Sequence, residues 1–265
     1  MKHINIENIK NGLTTFKNST PFNHCIIDDF FDYEYAKVLS NEFPDYESNK
    51  WFHYQNPLED KKALNDWNAF PRKTYGAFLA LQSTNFLSML SEVIGKNLYA
   101  DSGLHGGGWH MHANGGNLNP HLDYSIHPKV DLQRKLNLII YLSEDLKPAF
   151  HGGHFGLWSH DQDTEQPRCL VKEIEPVFNR AVIFDTTQNS WHGISRPLIQ
   201  PQGIYRKSMA VYYLCEPTQD APKNQRALFA PREDQKKDQG IKKLIELRAG
   251  VDTSSQVYKV VKNKF

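Results

Sequence analysis

Residues 176–214 read PVFNRAVIFDTTQNSWHGISRPLIQPQGIYRKSMAVYYL. Two runs inside this stretch, 180–184 and 208–214, are short, apolar and rich in β-branched and aromatic residues. A third run, LNLIIYL at 136–142, has the same character. Each is bounded by Gly, Pro, Asn or Asp, so each is predicted to be a buried strand. No regular helical segment separates them, which argues against a doubly wound parallel sheet. The expectation is a β sandwich or barrel over residues 98–216.

Outward from this core the periodicity turns helical. Asp32 is placed to cap a helix carrying Tyr35, Val38, Leu39 and Phe43 on one face, with Pro44 past its end. Phe86, Met89, Leu90, Val93 and Ile94 follow helical spacing over 84–94, and Gly95 closes the run. Ile241, Leu244, Ile245 and Arg248 predict a last helix before Gly250. The class is therefore mainly β with flanking helices, an α+β chain forming one domain. Residues 1–20 read as a polar arm or a short edge segment, 21–97 as a helical support with an irregular stretch at 46–75, and 217–265 as an extension. Residues 232–265 hold nine Lys/Arg and five Asp/Glu and read as a solvated tail.

Composition removes whole classes of function. A chain of 265 residues with 31 Lys+Arg, 30 Asp+Glu and net charge +1 is balanced, which argues against a dedicated nucleic-acid or membrane-surface protein. No apolar run is long enough to span a bilayer, and the first residues lack the apolar core of a secretory signal. Cys25, Cys169 and Cys215 are odd in number and widely spaced, so they read as reduced thiols of a cytoplasmic protein.

The twelve histidines carry the chemistry. In a strand, residues i and i+2 share a face, so His121 and Asp123 aim an imidazole and a carboxylate at one point. His192 follows another strand-like run. Two histidines and one carboxylate are the ligand face of non-haem Fe(II) oxygenases, which leaves adjacent metal positions open. Zinc accepts the same residues in a more closed geometry. Arg206 opens the last strand, and its planar fork suits a carboxylate. Ser208, on the same face, can donate a further hydrogen bond. A dicarboxylate could bind metal at one end and this pair at the other, and 2-oxoglutarate has that shape.

The HLD at 121–123, the Gly-Gly at 152–153 and the 176–214 run together resemble the Fe(II)/2-oxoglutarate-dependent oxygenases of the prolyl 4-hydroxylase-like group. The resemblance extends over about residues 21–216. It implies a double-stranded β-helix, or jelly roll, with helices packed on one sheet. It implies that His121, Asp123 and His192 are the iron ligands and that Arg206 and Ser208 bind the 5-carboxylate of 2-oxoglutarate. It further implies O2 as oxidant, ascorbate as an optional reductant, and hydroxylation of an unactivated C–H with release of succinate and CO2. The substrate would be a peptidyl residue such as proline, or a small molecule such as an amino acid or saccharide; oligomeric state is not legible.

One departure stands out. The family often places a tyrosine about ten residues before the HxD, and here His112 occupies that place. His112 is therefore the expected co-substrate contact, and the inference of a proline substrate is weakened. The aspartate at 123 disfavours a halogenase, which lacks that carboxylate. Tyr124, His127 and Trp109 are the expected substrate contacts. Arg134 and Asn137 can reach the pocket, and His154, which clusters with His151 and His160 near the Gly-Gly, reads as structural. Two competing readings remain: a catalytically inactive jelly-roll metal-binding module, and a zinc or manganese cupin-like enzyme.

Overall fold

A computed structural model describes residues 2–250 and 254–259. The chain opens with helix α1 (Ile6–Leu13), strand β1 (His24–Ile27) and helix α2 (Tyr33–Asn41). A hairpin follows, β2 (Phe52–Asn56) and β3 (Glu59–Leu64), then helices α3 (Arg72–Leu81) and α4 (Thr84–Ile94). Next come β4 (Tyr99–Ala100), β5 (Gly108–His112), β6 (Asn117–Leu118), β7 (His121–Leu122) and β8 (Gln133–Tyr141). The short helix α5 (Pro148–His151) leads to β9 (Phe155–Asp161), β10 (Gln166–Ile174), β11 (Ala181–Asp185), β12 (His192–Ile194) and β13 (Arg206–Cys215). Strand β14 (Leu228–Phe229) and helix α6 (Gln239–Ala249) complete the regular elements.

Two antiparallel sheets face each other, as in a jelly roll. The larger runs β1-β11-β8-β13-β5-β3-β2, with β4 attached to β13 and β6 to β3. The smaller runs β10-β9-β12-β7-β14. Strand alternation sorts the larger sheet's side chains. Met209, Val211 and Tyr213 of β13 and Leu136, Leu138 and Ile140 of β8 enter the outer core beneath the helices. Ser208 and Tyr212 of β13 and Asn137 of β8 face the other way, into the space between the sheets. A smaller inner cluster of Phe155, Leu157, Ile174, Val182 and Phe184 joins the two sheets.

The predicted strands and the helix over 84–94 are present, and Gly95 ends α4 at φ 76° as expected of a left-handed cap. Several expectations are corrected. Residues 1–20, expected as an arm or a short edge segment, hold helix α1, which buries Ile9 and Leu13. The irregular 46–75 stretch holds the β2–β3 hairpin, which extends the larger sheet through β5. Val38, expected inward, is exposed, while Ala36 and Leu39 are buried. The described part of the tail is packed: Ile241 and Leu244 of α6, with Val257, cover Leu58 and Phe229. No helix among the described residues is long and apolar enough to cross a membrane.

Candidate metal and co-substrate site

His121, Asp123 and His192 converge between the sheets. Strand pairing sets His192 directly opposite His121. Gly193 permits the approach, because a Cβ there would sit 2.7 Å from the carbonyl oxygens of both Leu118 and Asn119. Each imidazole is oriented by its Nδ1, which lies 3.0 Å from the Asn119 carbonyl in His121 and 2.8 Å from the Ser190 carbonyl in His192. That leaves both Nε2 atoms turned toward Asp123, at 3.9 and 3.8 Å from its carboxylate oxygens. Donor atoms of the three residues all lie within 4.8 Å of one another. Carbonyl-oriented imidazoles with free Nε2 atoms are what a metal ligand requires.

The electrostatics favour the ligating forms. Burial, with the neighbouring His192, holds His121 well below the ordinary histidine range, so its ring is neutral. Burial lowers His192 too, against the opposing pull of Asp123. Burial alone would raise Asp123, but Arg134, His192 and His121 overrule it and hold the carboxyl at about 2. The Arg134 guanidinium lies 3.2 Å from Asp123 and is sandwiched between the rings of Tyr124 and Tyr212, 3.3 and 3.4 Å from their centroids. Asn137 donates to the other carboxylate oxygen at 3.2 Å.

Deeper in the same cavity, of about 430 Å³, stands Arg206. It is buried, its Nε donates to the Gly153 carbonyl at 2.8 Å, and its guanidinium lies 4.8 Å from the Tyr141 ring centroid. Gly153 permits this contact at φ 77°, where a Cβ would come 3.1 Å from the Arg206 Cδ. No carboxylate lies within ion-pair distance of Arg206 among the described residues. Desolvation lowers its pKa. Ser208 is one pleat along, directly opposite Tyr141, whose buried hydroxyl has Arg206 as its polar neighbour. His112 pairs across the sheet with Arg206, and neither ring nitrogen is hydrogen-bonded among the described residues. Burial and the charges of Arg206 and Lys61 keep His112 neutral. A buried guanidinium with no carboxylate partner among the described residues has donor geometry suited to a carboxylate.

The expected substrate contacts divide. Tyr124 lines the cavity. Trp109 does not: it is fully buried on the helix side, against Phe43, Trp51 and Phe70. Alternation explains the correction, since His110 and His112 take the cavity face of β5 and Trp109 and Met111 must take the other. His127 is likewise displaced, lying 3.6 Å from Asp101 outside the cavity lining. His151 accepts from the Lys147 backbone N–H, and His160 accepts from the Trp191 indole N–H. Tyr141, Lys61 and Arg248 line or border the site without having been expected there.

Residues 107–214 match the family model of the 2OG-Fe(II) oxygenase superfamily. The fold is that of prolyl 4-hydroxylases and related 2-oxoglutarate oxygenases. A prolyl 4-hydroxylase of Phytophthora capsici superposes with TM-score 0.55 at 20% identity, covering 92% of this chain and 74% of that one. A Pseudomonas putida prolyl-4-hydroxylase gives 0.52 at 15% identity, covering 78% and 99%. HygX from Streptomyces hygroscopicus, with nickel, 2-oxoglutarate and hygromycin B bound, gives 0.51 at 13% identity, covering 78% and 87%. A search of curated protein sequences finds no match.

Proposed function

From a chain whose residues 107–214 match the 2OG-Fe(II) oxygenase superfamily, we propose an Fe(II)- and 2-oxoglutarate-dependent dioxygenase that hydroxylates an unactivated C–H bond. One observation carries the reading: a cluster of two neutral, carbonyl-oriented histidines and an ionised aspartate shares one cavity with a buried Arg206 that has no carboxylate partner among the described residues. The cluster suits a divalent metal, and Arg206 gives a dicarboxylate a reason to bind beside it.

In this reading His121, Asp123 and His192 hold the metal. Arg206 and Ser208 hold the distal carboxylate of 2-oxoglutarate, with His112 and Tyr141 placed to donate further hydrogen bonds. The bound pair supplies the oxidation, in which 2-oxoglutarate and O2 give succinate, CO2 and one oxygen atom for the substrate carbon. The chain's own residues do the rest. Asn119 and Ser190 fix the two imidazoles, and Arg134 and Asn137 fix the carboxylate. Phe155 and Phe184 pack against His192 and screen it from water.

The substrate is a peptidyl residue or a small molecule. Anaerobic addition of 2-oxoglutarate to the Fe(II) protein should produce a visible absorption band, and O2 should then yield succinate. Asp123→Ala should abolish both. Arg206→Gln should raise the 2-oxoglutarate concentration needed by at least tenfold. Succinate release that survived Asp123→Ala would overturn the reading, whereas a zinc enzyme or an inactive module would give no band.

A further inference from the structure

The cavity has a second cationic corner, on the side away from Arg206. Arg248 reaches it from α6 and is only 6% exposed. One nitrogen is ion-paired with Glu59, while Nε and Nη1 lack hydrogen-bond partners among the described residues. The guanidinium lies over the rings of Tyr258 and Phe229, 4.1 and 5.1 Å from their centroids. Phe229 in turn stacks on His121, with centroids 5.2 Å apart. Arg248 is thus one aromatic ring removed from the metal cluster. Lys61 enters from β3, 3.3 Å from the same Glu59 and 5.1 Å from the Tyr54 ring centroid. Lys61 lines the same cavity as His110, His112, His121 and His192.

Among the described residues, two of the cations here draw on a single carboxylate. Arg134 has Asp123, and Arg206 is allotted to the co-substrate. Lys61 and Arg248 share one carboxylate, Glu59, which is itself buried. A buried guanidinium with two unmade donors is unfavourable unless an anion completes it. Tyr54 and Tyr258 line the same corner and give it aromatic surface beside the two cations.

We infer that Arg248 and Lys61 form the substrate's anion subsite, so that the enzyme acts on a molecule bearing a carboxylate or comparable oxyanion beside a planar or apolar body. This rests on the oxygenase reading above and names the substrate class for its cavity.

The test reads binding. The full chain is loaded with a redox-inert divalent cation and 2-oxoglutarate, which occupies Arg206, and is then titrated calorimetrically with phenylacetate, phenyl phosphate and the uncharged phenylacetamide. Phenylacetate should bind at least tenfold more tightly than phenylacetamide, and the phosphate arm shows which oxyanion is preferred. Arg248→Gln should close the acid–amide gap and leave 2-oxoglutarate binding unchanged. Lys61→Gln, on β3 one strand in from the sheet edge, should narrow the gap and decides the matter if Arg248→Gln does not fold. Acid and amide binding alike in the unmodified protein, or a gap that persists in these variants, would overturn the subsite. Failure of 2-oxoglutarate itself to bind in the first step would instead count against the oxygenase reading.

Discussion

Asp123 depends on a neighbour that contributes nothing to the ligand set. Arg134 neutralises it inside a closed aromatic sandwich, and among the described residues it is the one Lys or Arg within ion-pair distance of the carboxylate. Removing one partner of a buried ion pair leaves a stranded charge and costs about 3–5 kcal/mol. Arg134→Met should therefore lower the stability of the metal-free protein by that amount, read from its urea midpoint; an unchanged midpoint would show that Asn137 alone suffices. A second residue-scale prediction concerns the thiols. Burial pushes Cys25 up to about 12 and raises Cys215, while Cys169 is exposed. Both buried thiols stay protonated and inaccessible at pH 8, so a disulfide reagent should titrate one thiol in the native protein and three after denaturation.

At the scale of elements, the site is made by strand register, and register decides how much of it was legible. His121 and Asp123 could be paired because a two-residue spacing needs only local geometry, although Asp123 lies just past the end of β7, and His192 was singled out by its place after a strand-like run. Trp109 was misread because its neighbourhood was considered without its parity relative to His112. Arg134 and Asn137 differ by an odd number, so plain alternation would send them to opposite faces. A register shift between Tyr213 and Leu214 places an extra β8 residue opposite β13 and brings both to Asp123. Nothing in a single sequence announces such a bulge. Tyr141 became visible only as the cross-strand partner of Ser208. The contact of β12 with residues 118–119 is testable directly. Gly193→Ala would place a methyl 2.7 Å from two carbonyl oxygens, so β12 must retreat and carry His192 with it. Overpacking of this kind costs about 1–3 kcal/mol. The variant should remain folded by circular dichroism and bind divalent metal at least tenfold more weakly; wild-type metal affinity would show that β12 has slack.

Across the whole molecule, the regions that read as separate sections interlock. β1 closes one edge of the larger sheet against β11, and the β2–β3 hairpin closes the other against β5. Trp109 of the jelly roll lies in the outer core with Phe43, Trp51 and Phe70 from the first hundred residues. At the other end, β14 pairs with β7 beside His121, and α6 covers Phe229. The tail's charge made it read as solvated, yet its apolar positions and Arg248 face inward, a distinction that net charge does not make. Cores shared across every section leave no boundary at which part of the chain could unfold alone. The expected result is a single guanidinium transition. Far-UV circular dichroism should coincide with tryptophan fluorescence, which samples Trp51, Trp67 and Trp109 in the outer core and Trp158 and Trp191 at the smaller sheet. Deletion of residues 1–97 should give no folded product, because β5 would lose β3 and Trp109 would lose all three of its aromatic neighbours. Two resolved transitions, or a soluble 98–265 fragment that binds metal, would show instead that the jelly roll stands without its flanks.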